Sequence, residues 1–192
     1  MKLGLRVLLF AELCFSLAAG MLGPIYAVFV RDIGGSVLDA SAAWAVFMLT
    51  MGILTFLFGR WNGRGRNQEK LVIFGYAVRA AGFLGYLFVQ NPAGLVMVQI
   101  VLGLGGAMGL QSYDSLKVKH LEKPKPSEWT DWESIYYMFG AVAAVFGGLV
   151  VTAFGFRSLF VIMFLFSLLG LVSSIKLLYL YRKFLGVFKI EK

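Results

Sequence analysis

The 192-residue chain holds one cysteine, Cys14, and one histidine, His120. A lone cysteine rules out an intrachain disulfide, and no zinc or iron–sulfur ligand spacing exists. Cys14 falls inside an apolar run, where a cysteine acts as a small packing residue. One histidine excludes a multi-histidine metal centre within the chain, so neither metal nor cofactor is expected. Charge is scarce as well: 15% of residues carry it, against about a quarter in soluble domains. Hydrophobic residues make up 59% and mean hydropathy is +0.80, which excludes a soluble domain built around a large core. What charge there is sums to +8. In a soluble protein that excess would point to nucleic acid. Here the cations lie in loops between apolar runs, so they read as orientation signals and contacts for anionic headgroups, with no nucleic-acid partner.

What the chain has instead is six long apolar runs, at about 5–30, 42–59, 71–89, 93–111, 135–154 and 159–180. Each is close to the length, about 20 residues, that a helix needs to cross the hydrocarbon core. Barrel strands would be about half as long and would alternate apolar with polar. The expected fold class is an all-α membrane protein, residues 1–192 forming a single domain of six transmembrane helices. Lys2 and Arg6 ahead of the first run imitate a signal peptide. That run continues to Val30 and five more follow, so it reads as a retained first helix.

The loops set orientation. Lys2 and Arg6 precede the first helix, and Arg60, Arg64, Arg66 and Lys70 fill the second loop. Lys117, Lys119, Lys123 and Lys125 fill the fourth, and Arg182, Lys183, Lys189 and Lys192 the tail. The alternate loops hold only Arg31 and Arg157. By the positive-inside rule both termini should be cytosolic, in the plasma membrane. Thr130-Asp131-Trp132-Glu133 fits a capping box opening the fifth helix, with Trp129 and Trp132 at headgroup level. Asn91-Pro92 marks a tight outer turn, and Lys123-Pro124-Lys125-Pro126 stiffens the longest cytosolic loop. Gly103, Gly105, Gly106 and Gly109 on the fourth helix, with Gly140, Gly147 and Gly148 on the fifth, mark faces where backbones approach.

Few polar groups interrupt the spans. An ionisable side chain at bilayer depth costs on the order of 3 kcal/mol, so it needs a partner or a wet cavity. Glu12 and Arg79 each sit about two turns in from the same side, at roughly 10–12 Å depth by the helical rise. Two readings stay open for them: an ion pair that fixes helix register, or a Glu12 that faces a cavity and binds a proton or a cationic solute. Gln99, Gly103, Gly106, Leu110, Tyr113 and Asp114 share one face of the fourth helix, a polar stripe suited to a lumen or a partner half. Lys176 lies near a helix end and can snorkel. Asp114 is within reach of the Arg64/Arg66 loop, as a cytosolic latch or as solvated interfacial charge.

These residues resemble the major facilitator superfamily of secondary transporters. Its second-to-third-helix signature runs glycine, acid, base, glycine and two bases; Gly59, Asn62, Gly65 and Arg66 follow it. Asn62 stands where the acid is usual, and the spacing from Gly59 is one residue short. The fourth-helix pattern Arg-x-x-x-Gly-x-Gly is present as Gln99-x-x-x-Gly103-x-Gly105, with glutamine for arginine. An acid pairing with the loop arginines is also family-like, and Asp114 takes that place. Gly147-Gly148 lacks the proline of the antiporter signature, so the motif gives proton antiport no support.

The resemblance implies a three-plus-three inverted repeat, and the chain looks like one half of a twelve-helix transporter. A lone half exposes its cavity face, and a parallel homodimer, or a heterodimer with a second half-length chain, would cover it. The implied function is secondary active transport of a small solute by alternating access. Glu12, Arg79, Gln99 and Tyr113 would bind solute or ion, and Asn62, Arg64, Arg66 and Asp114 would form the latch. The competing class is a non-transporting membrane scaffold or partner subunit that keeps the fold, which the changes at Asn62 and Gln99 favour. The spans lack acid, histidine or serine sets at catalytic spacing, so the chain is not expected to be an enzyme.

Overall fold

The computed structural model describes residues 3–61, 68–120 and 126–188, and nearly all of these are helical. In order they form α1 (Leu3–Leu22), a 3-10 turn (Gly23–Ile25), α2 (Tyr26–Asp32), α3 (Val37–Trp61), α4 (Gln68–Gly85), a second 3-10 turn (Tyr86–Phe88), α5 (Pro92–His120) and α6 (Pro126–Phe188). Among the described residues, five stretches are long and apolar enough to cross a membrane: Arg6–Asp32, Val37–Arg60, Lys70–Phe88, Pro92–Gly109 and Trp132–Lys176. The fold is therefore all-α, with apolar helices at each position where the sequence placed a run.

Local chemistry explains the interruptions. Pro24 lies in the 3-10 turn that separates α1 from α2, where its missing N–H removes a ladder bond. The end of α2 is closed by two glycines. Gly34 takes φ +80°, the N–H of Gly35 donates to the Val30 carbonyl at 2.8 Å and that of Gly34 to Arg31 at 3.0 Å. This is a Schellman termination. Ser36 then caps α3: its hydroxyl accepts from the Asp39 N–H at 3.2 Å, while the Asp39 carboxylate accepts from the Ser36 N–H at 2.7 Å. At the same end, where Pro92 lies beside Gly35, the Asn91 side chain accepts from the Gly94 N–H at 2.8 Å and Pro92 opens α5, the tight turn expected of Asn91-Pro92.

Two boundaries differ from the sequence reading. The helix expected to be capped at Thr130 begins at Pro126, so Thr130 lies inside α6 and its carbonyl accepts from the Ser134 hydroxyl at 2.8 Å. Proline at a helix start has no N–H to satisfy and a preset φ, and here it outweighs the capping sequence downstream. The loop expected between 154 and 159 is reduced to one residue. Gly155 adopts φ 78°, ψ 173°, a conformation open essentially to glycine alone, and breaks α6 into arms 126–154 and 156–188.

Glycine sets the helix packing. α1 lies along α6, α4 packs on α5 and on α6, and α3 packs on α5. A methyl group at Gly147 would strike the Met21 carbonyl, and one at Gly75 would strike the backbone of Gly109. At Gly103 it would meet Thr50 Cβ at 2.8 Å and the Phe47 carbonyl at 2.9 Å. Gly106 faces Met51, and Gly109 faces Tyr76. Of the glycines expected on packing faces, Gly140 and Gly148 have no neighbour within reach of an added methyl, whereas Gly75 and Gly170, not anticipated, do. The outer surface is apolar, with Leu38, Leu49, Phe56, Phe88, Met97 and Phe154 exposed, as lipid as solvent requires. α3 stands at the edge: 6% of its apolar stretch is buried, against 50% for α5.

Candidate functional site

Glu12 on α1 and Arg79 on α4 meet. Arg79 Nη1 lies 3.7 Å from Glu12 Oε2, and both side chains are largely shielded. The same oxygen accepts a hydrogen bond from the Tyr76 hydroxyl at 2.7 Å. The phenol therefore makes the tight contact, while the guanidinium sits beyond the 2.7–2.9 Å of a charge-assisted bond. Arg79 is held in another way: its guanidinium carbon lies 4.8 Å above the Phe15 ring, and Phe15 stacks on Tyr76 at 4.3 Å. Gly105 makes room for it, since a methyl there would come within 2.7 Å of Arg79 Cγ. The glycine that brings α4 against α5 thus also leaves space for the arginine stem.

Gln99 on α5 is 2% exposed, and its amide donates to the Tyr26 hydroxyl at 2.7 Å. Tyr26 meets Trp44 edge-on at 6.0 Å, and Trp44 leads to Phe47 at 5.3 Å. Glu12, Arg79, Gln99, Tyr26, Trp44 and Tyr136 all line one cavity of about 250 Å³. Three of the residues singled out in the sequence are thus brought to one space. Tyr113 is buried and lines a separate cavity of about 210 Å³, whose wall it shares with Glu12. Asn62, Arg64 and Arg66, and the side chain of Asp114 on α5, lie outside the described residues.

Tyr76 and Tyr26 were not singled out from the sequence, and both hold a predicted residue in place. A signal for Tyr76 was available. It lies three residues before Arg79, on the same face of the same helix, so any partner of Arg79 is within its reach. Tyr26 offers none, because it follows Pro24 and its direction depends on that break.

The site is polar, shielded and placed among helices of membrane-spanning length, and the relatives of the chain fit that setting. A family model described as the Major Facilitator Superfamily matches residues 8–187. An uncharacterized MFS-type transporter of Bacillus subtilis, YitZ, is 25% identical over 156 residues, covering 74% of this chain and 87% of its own length. The multidrug resistance protein MdtG of Klebsiella pneumoniae is 23% identical over 155 residues, covering 79% of this chain but only 38% of MdtG. The chain is therefore a multi-pass membrane protein that belongs to the major facilitator superfamily, a family of small-molecule transporters and not of enzymes.

Proposed function

We propose that this protein is half of a secondary active transporter, moving a small solute across the plasma membrane by alternating access as a homodimer. The observation that carries the reading is the open rim of the larger cavity. Its floor holds Glu12, Arg79 and Gln99, while Trp44 and Tyr136 on its lining are 51% and 45% exposed. Large aromatic side chains lining a charged cavity suit contact with a second protein wall better than contact with acyl chains. A parallel dimer with its axis along the membrane normal would supply that wall from an identical half.

The break at Gly155 supports a reading with six crossings. The 45-residue apolar stretch of α6 would run roughly 68 Å as one helix, more than twice the hydrocarbon thickness. Divided at Gly155, it supplies a fifth and a sixth span, and the three-plus-three inverted repeat of the family needs that count. Both termini are then cytosolic, on the side of the basic loops. Glu12 binds a proton or cationic group, Arg79 is its counter-charge, and Gln99 in the larger cavity and Tyr113 in the smaller one hydrogen-bond the solute on its way. Asn62, Arg64, Arg66 and Asp114 form the cytosolic latch.

A second reading has one observation in its favour. The Gln99 amide is already committed to Tyr26 inside the protein, as suits a structural pin. On this reading the chain is a non-transporting scaffold that keeps the fold. Uptake into proteoliposomes from a panel of amines, sugars, peptides and drugs separates the two. Transport predicts saturable flux of at least one class that Glu12→Gln abolishes when flux is measured per unit of folded protein. A scaffold predicts no flux for any class, with stable binding of another membrane protein.

A further inference from the structure

Glu12 lines both cavities, and so does Tyr136. In the larger one Glu12 meets Arg79, so that space is close to electrically balanced. The smaller one, about 210 Å³, differs in kind. Among the described residues that line it, Glu12 and Glu133 are acidic and none is basic. Tyr113, Trp132, Tyr136 and Tyr137 add four aromatic rings, and Leu9, Leu13 and Ile135 complete an apolar lining. Tyr136 and Tyr137 stand edge to face at 5.7 Å, presenting two ring orientations to the space. Tyr113 and Glu133 also engage other groups of the protein, so both come to the site already held.

We infer that this smaller cavity is a binding site for a monovalent organic cation, an ammonium centre carried on a small aromatic or alkyl body. Carboxylates on two walls supply the counter-charge, and aromatic faces attract a desolvated cation that an aqueous metal ion, with its tightly held water, would not offer them. Trp132 is the strongest of the four rings for that contact. An anion of equal shape meets two carboxylates here, and a neutral molecule gains the apolar contacts alone. Because Glu12 is shared, a cation in this cavity competes with Arg79 for the same carboxylate. The 3.7 Å separation leaves that pair loose enough to be exchanged, while Tyr76 keeps the carboxylate in place. Occupancy of one cavity thereby changes the charge presented to the other.

The inference rests on the half-transporter reading for its use but not for its test, which is binding. The purified full chain in lipid nanodiscs is titrated with benzyltrimethylammonium by calorimetry, with its neutral isostere neopentylbenzene and with benzenesulfonate as comparisons. Saturable binding of the ammonium alone is expected. Glu133→Gln should weaken it about threefold and Trp132→Ala about fivefold, magnitudes in the range of one removed exposed counter-charge and one cation–π contact. Gly148→Ala, which lines neither cavity and meets nothing within 4 Å, should leave it unchanged. Glu133 is exposed on α6, so its substitution leaves the fold intact even where Glu12→Gln lowers yield. Equal affinity for the neutral isostere, or unchanged affinity in Glu133→Gln, overturns the site. Binding without flux of the same cation in proteoliposomes would leave the site standing and remove the transport reading. Flux of another solute with no ammonium binding would do the reverse.

Discussion

The charged site turns on one oxygen. Glu12 Oε2 takes the Tyr76 hydroxyl at 2.7 Å and faces Arg79 at 3.7 Å, so the two partners are not equivalent. Tyr76→Phe removes a hydrogen bond between membrane helices, worth about 0.6 kcal/mol on average, and leaves the ring stacked on Phe15. It should lower thermal stability by no more than that while loosening the carboxylate, so flux falls more than stability does. Arg79→Met acts differently. It strands a carboxylate at bilayer depth with a phenol as its one remaining partner here, a cost on the order of 3 kcal/mol. Expression in the membrane fraction should fall for Arg79→Met and recover in the Glu12→Gln/Arg79→Met double variant. Recovery of yield without recovery of flux would separate the structural share of this pair from its functional share. The pair itself was legible in the sequence, because two opposite charges lay at matched depth in otherwise apolar runs. Tyr76, which holds Glu12, is signalled by nothing but its place one turn before Arg79, and Tyr26, which holds Gln99, by nothing at all, since tyrosine serves equally in cores, headgroup belts and cavities.

Helices and their breaks show where sequence patterns run out. Each apolar run became helix because hydrophobic length is read without reference to tertiary contacts. Ends and contacts needed more. The capping box at Ser36 and Asp39 is real, while the similar string at Thr130 and Glu133 lies past a helix start that proline had already set. Glycine-rich faces were visible as faces, but which glycine meets a neighbour depends on how the helices cross. This yields paired predictions. Gly147→Ala places a methyl against the Met21 carbonyl of α1, and overpacking of this sort costs about 1–3 kcal/mol. Gly148→Ala, one residue on, meets nothing within 4 Å and should be neutral or stabilising, as alanine is in an open helix position. Gly155→Ala also meets nothing within 4 Å, yet its φ of 78° should cost about 1–3 kcal/mol through the backbone alone. Thermal unfolding in one detergent ranks all three. Equal midpoints for Gly147→Ala and Gly148→Ala would contradict the α1–α6 crossing.

At the scale of the whole molecule, the half-transporter reading requires a second wall for the cavity. The aligned segment takes in 87% of YitZ but 38% of MdtG. If both termini lie on one side, the C-terminus of one copy can be joined to the N-terminus of the next by a flexible linker without crossing the membrane. On the proposed reading such a tandem would have twelve spans and one combined cavity, with Glu12 supplied from each half. It should support the flux of the untethered protein and run as a single unit in native mass measurement, where the untethered chain runs as a dimer. A tandem with Glu12→Gln in one half then counts the carboxylates the passage needs. Flux close to half that of the tandem with both glutamates means that each half works alone. Loss of about tenfold or more means that the two carboxylates serve one site, as a cavity shared across the dimer axis requires. An untethered chain that stays monomeric in lipid and still transports would remove the dimer from the account, and with it the reason for the exposed Trp44 and Tyr136 at the cavity rim.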